Sequence, residues 1–156
     1  MDQIIQKLEP KTELYRACKQ YIEEKSANIE GLMRSFQKDL ESESKSSAGD
    51  KHETGRAMLH LEMEKVSQQY AVIQKMKSLL EKIDLSKTHT QIRLGSLVMT
   101  DLGHYFISIS AGSIRLGGKE YYAVSPSSPV GALLLGQQKG SRVYLGEKKI
   151  NILQVT

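Results

Sequence analysis

The chain has 156 residues, 39% of them hydrophobic, with one cysteine, no tryptophan and a formal net charge of +4. It contains no apolar run long enough to cross a membrane, its single cysteine leaves no disulfide partner within the chain, and the N-terminal Met-Asp-Gln-Ile-Ile-Gln-Lys lacks the basic-then-apolar order of a secretory signal. These features predict a cytoplasmic protein in a reducing compartment, with Cys18 as a small core residue.

Apolar positions define the first element. Leu14, Cys18, Tyr21, Ile29, Leu32, Phe36 and Leu40 recur in steps of three and four, or seven where Lys25 interrupts, which predicts a helix from about Lys11 to about Glu43 without an internal proline. The return segment keeps the same phase through Leu59, Met63, Val66, Tyr70, Ile73, Met76 or Lys77, Leu80 and Ile83, so a second helix follows. Roughly 30 residues at about 1.5 Å rise make a rod on the order of 45 Å long, and two such rods must zip antiparallel to bury their stripes. Met58, Met63 and Met76 read as fillers of that seam.

Between the helices, Ser42–Gly49 is rich in Ser and Gly and asks for no burial, so it is the expected turn of the hairpin. The acidic tip spans residues 44–53. Asp50 reads as the N-cap of helix two, and Glu53 completes capping-box spacing. Taken alone, both carboxylates serve to start the helix, where exposed amides favour them by about 0.3–1 kcal/mol.

A composition shift near Asp84–Thr90 divides the chain into a helical hairpin, 1–88, and a second unit, 89–156. Charge divides with it. Residues 1–88 hold 15 Lys plus Arg against 15 Asp plus Glu, whereas 89–156 hold 7 against 3, so the whole excess lies in the second unit. A surplus this mild forms a solvated surface with a weak preference for acidic partners, and no basic run with interleaved aromatics marks a nucleic-acid platform.

In the second unit the period changes from helical to extended. Strands are predicted at Gln91–Thr100, His104–Ser110, Ser113–Leu116, Tyr121–Val124, Arg142–Leu145 and Ile150–Val155, with turns at Asp101-Leu102-Gly103, Gly117-Gly118 and Gly146-Glu147. One short helix, Pro129–Leu135, has Ser128 as N-cap, Pro129 at its first position and Gly136 as its stop. The fold class is therefore α+β, an antiparallel hairpin followed by a small β-rich domain. Tyr105, Phe106, Tyr121 and Tyr122 read as packing for the sheet. His52, His60, His89 and His104 lack metal-ligand spacing and read as surface residues, with no zinc expected.

Two segments carry a resemblance. Gly49-Asp50-Lys51-His52-Glu53, between two coiled-coil-like helices, resembles the Gly-Asp-x-x-Glu tip of the bacterial Gre transcript cleavage factors. Ser128-Pro129-Val130-Gly131-Ala132-Leu133-Leu134-Leu135-Gly136, followed by Gln137-Gln138-Lys139-Gly140, is similar to the Ser-Pro-x-Gly-x-x-Leu-Leu-Gly-Lys segment of that family's C-terminal domain. The resemblance implies an FKBP-like fold for 89–156 that docks on RNA polymerase through Ser128, Pro129, Gly131, Leu134 and Gly136, while the hairpin passes down the polymerase secondary channel. It implies that Asp50 and Glu53 help the polymerase hydrolyse backtracked RNA, sharing the Mg²⁺ of the polymerase active centre and holding no metal or cofactor of their own. The factor itself would not be an enzyme, and a monomer is expected.

The chain departs from the family after Glu53, reading Thr54-Gly55-Arg56-Ala57 where the family usually has Asn-Ala-Glu-Tyr. Lys45, Lys51 and Arg56 are the basic residues near the tip that could touch RNA phosphates, or simply be solvated. Two other functions remain open at this point. One is a non-cleaving or inhibitory regulator that occupies the same channel; the other is a peptidyl-prolyl isomerase or chaperone built on the β domain, which would need an aromatic-lined pocket.

Overall fold

The computed structural model describes the backbone of residues 2–44 and 49–156 and the side chains of residues 10–42 and 53–156. Helix α1 spans Asp2–Ser44 and α2 spans Gly49–Glu81. Helix α1 thus begins well before Lys11 and contains Pro10. The proline ring holds a φ that a helix accepts, so the cost is one missing amide hydrogen bond and the crowding of the preceding turn. Helix α2 stops two residues short of Ile83. Its last turn tightens, with the Lys82 and Ile83 amides donating to the Leu79 and Leu80 carbonyls, and an Asp84 carboxylate then accepts the Ser86 amide and hydroxyl. Among the described residues no helix is long and apolar enough to cross a membrane.

Packing divides the chain into two compact units, Ile22–Lys75 on one side and Met1–Tyr21 with Met76–Thr156 on the other. The expected boundary at 88/89 marks the change of secondary structure, whereas the compact units place the bases of both helices with the sheet. Within Ile22–Lys75 only α1 and α2 are present, joined across four residues, so they run antiparallel and each can hide side chains only on the other. Ile22, Ile29, Val66 and Ile73 are buried there, and Phe36, Leu40, Leu59, Met63 and Tyr70 are half-buried. Met58 departs from its expected role and is 65% exposed. It precedes the seam residue Leu59 by one position, which turns it about 100° away from the stripe.

The second unit carries a six-stranded mixed sheet: β1 Leu97–Thr100, β2 His104–Ile107, β3 Gly112–Leu116, β4 Lys119–Val124, β5 Arg142–Leu145 and β6 Lys148–Val155, in spatial order β3-β4-β2-β1-β6-β5. All pairs are antiparallel except β2 with β4. The strand predicted from Gln91 begins only at Leu97. Although Gln91-Ile92-Arg93-Leu94 alternates like a strand, the Ser96 hydroxyl accepts the Arg93 amide and the Ser96 amide returns to the Arg93 carbonyl, closing a tight turn. Only Gln91 bridges, to Gln138.

Register decides which side chains share a face. Val98, Ile107, Ile150, Ile152 and Val143 face one way and form a core with Ile92 and with Leu134 of α3, Pro129–Leu134. Phe106 faces the other way between its cross-strand partners Leu97 and Ala123, and all three are buried. Helix α1 reaches that second face at Cys18, whose Sγ lies 3.6 Å from the Ser108 Oγ, both groups fully buried. Tyr121 and Phe106 are buried as expected; Tyr105 and Tyr122 are half-buried and pair with ring centroids 5.8 Å apart.

Candidate functional site

At the hairpin end, α2 starts at Gly49, so Asp50 lies inside the first turn and is not the residue preceding it. Three residues separate Asp50 from Glu53 within that one helix. Glu53 and Arg56 are exposed. Lys45 lies outside the described residues, and so do the side chains of Asp50, Lys51 and His52. One turn further along, Gly55 removes a side chain from the helix pair, and Asp39, Ser42, Met58, Leu59 and Glu62 surround the resulting open cleft of about 400 Å³.

Carboxylates spaced in this way on a free helix start are hard oxygen donors suited to Mg²⁺ or to holding a water, and they match the donor type that such an ion prefers. They supply only part of the six oxygens that octahedral coordination requires. Among the described residues no group of three or more His, Cys, Asp or Glu side chains converges on one point.

A second cluster lies where the helix bases meet the sheet. Lys11 is 1% exposed, and its ammonium donates to the Lys87 carbonyl at 3.2 Å. Burial pushes its pKa down. Lys11, expected only as the approximate start of the first helix, continues the stripe of Leu14, Cys18 and Ile22 in steps of three and four. His89 is buried as well, against the expectation of a surface role, with Nδ1 2.7 Å from the Ser96 Oγ. Its pKa falls below the usual histidine value through burial first, then through the positive charges of Lys11, Arg93 and Lys87. The neutral ring is thus favoured, with the Ser96 hydroxyl placed to donate to Nδ1. His104 is half-buried, stacks on Tyr121 at 5.5 Å between ring centroids, and has a buried Nδ1 with no hydrogen-bond partner in the structure.

The Ser-Pro-x-Gly segment has a local physical reason at every position. Ser128 takes extended backbone angles, and its Oγ accepts the Gly131 amide at 3.1 Å while donating to the Ser125 carbonyl at 2.7 Å. Pro129 occupies the first helical turn, where its missing amide costs nothing. A Cβ on Gly131 would meet the Ser125 carbonyl oxygen at 2.0 Å, so only glycine fits. Leu134 is fully buried in the core, and Gly136 follows the helix at φ +80. Of the five residues, Pro129 and Gly136 are exposed to solvent, while Gly131 and Leu134 point their contribution inward.

No family model matches the chain, and no curated protein matches it. Among solved structures, the GreA factor homolog 1 (Gfh1) protein of Thermus thermophilus is similar over 91% of this chain and 94% of that one, at 19% identity and a TM-score of 0.34. A second structure, of the transcription factor Gfh1, is similar over 90% of this chain and 92% of its own, at 16% identity and a TM-score of 0.33.

Proposed function

We propose that this protein is a transcription factor that enters the secondary channel of RNA polymerase and stimulates cleavage of backtracked RNA through Asp50 and Glu53. The observation that carries the reading is the position of Asp50 and Glu53 in the chain, three residues apart among the first residues of α2, which starts five residues after α1 ends. The Gre-like segments at 49–53 and 128–140, in the same order and on the same kinds of element, support it. Mg²⁺ shared with the polymerase would supply charge neutralisation at the phosphate and a water of lowered pKa. This chain's part is to bring two negative oxygens within reach, hold the water for in-line attack and leave the catalytic frame to the polymerase. Arg56, exposed one turn after Glu53's start, is a candidate phosphate contact, together with Lys45 and Lys51.

The reading is tested by cleavage of RNA in backtracked elongation complexes with the native chain, Asp50→Asn and Glu53→Gln. Each substitution lowers cleavage about 100-fold, the usual scale for loss of one positioned proton-transfer or water-orienting group. Polymerase affinity stays within a few fold. A doubly neutralised protein that cleaves as fast as its parent would defeat the assignment. The Thr54-Gly55-Arg56-Ala57 departure favours a second reading, a regulator that occupies the channel without cleaving, which would slow elongation with either version of the tip.

A further inference from the structure

Strand β5 closes one end of the sheet, with no strand beyond it. Val143, Ile150 and Ile152 turn into the α3-covered core, so alternation sends Arg142 and Tyr144 of β5, and Lys149 of β6, to the opposite face. Register sets Tyr144 directly across from Lys149, and Arg142 across from Asn151. At the β2–β4 end the same face is packed away, with Phe106 and Tyr121 buried. At the β5–β6 end it is open: Tyr144 is 59% exposed, and both cations are exposed.

Charge is concentrated there too. Of the seven Lys and Arg in residues 89–156, four fall between 139 and 149, where Glu147 is the only acid. The Asp101 carboxylate is held by Asn151, across from Arg142, accepting the Asn151 amide at 2.8 Å and the side-chain Nδ2 at 2.6 Å. Asp101 also lies within electrostatic reach of Lys149, and its pKa is lowered mainly by the two Asn151 hydrogen bonds.

An exposed tyrosine set between Arg and Lys side chains has the composition of a protein–protein hot spot, in which an aromatic anchor and Arg dominate and complementary charge guides the encounter. A single aromatic does not make the run of stacking platforms that a single-stranded nucleic acid uses. We propose that the outer face of the β5–β6 hairpin docks an acidic, partly apolar protein surface; resting on the function proposed above, that surface belongs to RNA polymerase. The face is separate from the α3 segment, whose Gly131 and Leu134 are committed to the fold.

The test measures affinity of the full chain for core RNA polymerase of the organism that encodes it, alongside affinity for a 20-base-pair DNA duplex. Arg142→Glu with Lys149→Glu, and Tyr144→Ala separately, each weaken polymerase binding at least about tenfold, while Arg115→Glu with Lys119→Glu on the opposite edge hairpin changes it less than threefold. All these side chains except Tyr144 carry charge in solvent, so unchanged thermal unfolding confirms that the fold survives. A native chain that binds polymerase while the reversed-charge variant binds within threefold of it overturns the docking face and leaves the function standing. A native chain that does not bind polymerase overturns both. Duplex DNA binding lost in the same variants would make the face a nucleic-acid surface and also overturn the proposal.

Discussion

The Ile22–Lys75 hairpin segment and the sheet unit solve the same burial problem with different depth. Over β1 and β2 the sheet is covered on both faces, so Phe106, Ile107 and Val98 lose all contact with water, as does Leu134 of the covering α3. The hairpin segment is one layer thick. Each helix can hide a single stripe, and Leu32, Met58, Leu61 and Val72 stay more than 40% exposed. Fully enclosed side chains make contacts in every direction, while a seam residue in a helix pair keeps solvent along its flanks. The lesson is that the same apolar content stabilises the two regions unequally, and that local opening is easier in the hairpin segment.

Core truncation is the strongest way to break this contrast. Leu134→Ala costs about 3–5 kcal/mol because its site is closed on all sides, whereas Ile29→Ala costs about 2 kcal/mol because the hairpin can settle around the gap. Denaturant unfolding of both variants measures the difference, and equal losses would show that the hairpin segment is packed as deeply as the sheet.

A smaller effect sharpens the boundary cluster. The folded state holds His89 below its ordinary pKa of 6.5, while the unfolded chain takes up that proton near 6.5. Unfolded molecules then bind more protons, so stability falls as pH drops through 6.5 and keeps falling until the buried ring is itself protonated. Lys11 is also lowered, but its relief comes only as pH rises toward 10.5, so it does not shape this window. His89→Gln flattens the decline between pH 7 and pH 5 in unfolding experiments; an undiminished slope would assign it to other groups.

The smallest effect is at the exposed stripe. Leu61→Gln changes stability by less than about 0.5 kcal/mol, as is usual for a solvent-facing position. A loss several times larger in the same assay would mean that the 60% exposure of this side chain misrepresents its environment in solution.

Much of this architecture was legible in the residues. Strand alternation punctuated by Gly117-Gly118 and Gly146-Glu147 located all six strands, because glycine turns and two-residue periodicity are strictly local signals. The α3 boundaries were equally local, written in a capping serine, a proline and a glycine. What misled was also local. Lys11 looked like the start of a helix since charge argues for solvent, yet its stem continues the apolar seam and only tertiary packing decides where the ammonium goes. Gln91–Leu94 alternates like a strand, but the hydroxyl of Ser96 wins those residues for a turn. At the tip, capping a helix and lending oxygens to a metal call for the same residue types at the same spacing, so the residues alone could not separate the two, and the resemblance to the Gre family supplied the chemical reading.

One pairing has a bearing on how the protein is made. Val98 and Thr100 of β1 find their partners at Val155 and Ile152 of β6, more than fifty residues later in the chain. A ribosome extruding this polypeptide releases both long helices, which need only nearby contacts, well before it releases the strand that completes the middle of the sheet. Until then β1 presents an unpaired flank, a window in which a nascent chain is open to mispairing with its neighbours. Stalling translation just short of β6 should therefore yield a molecule whose helices are formed and whose sheet is still waiting.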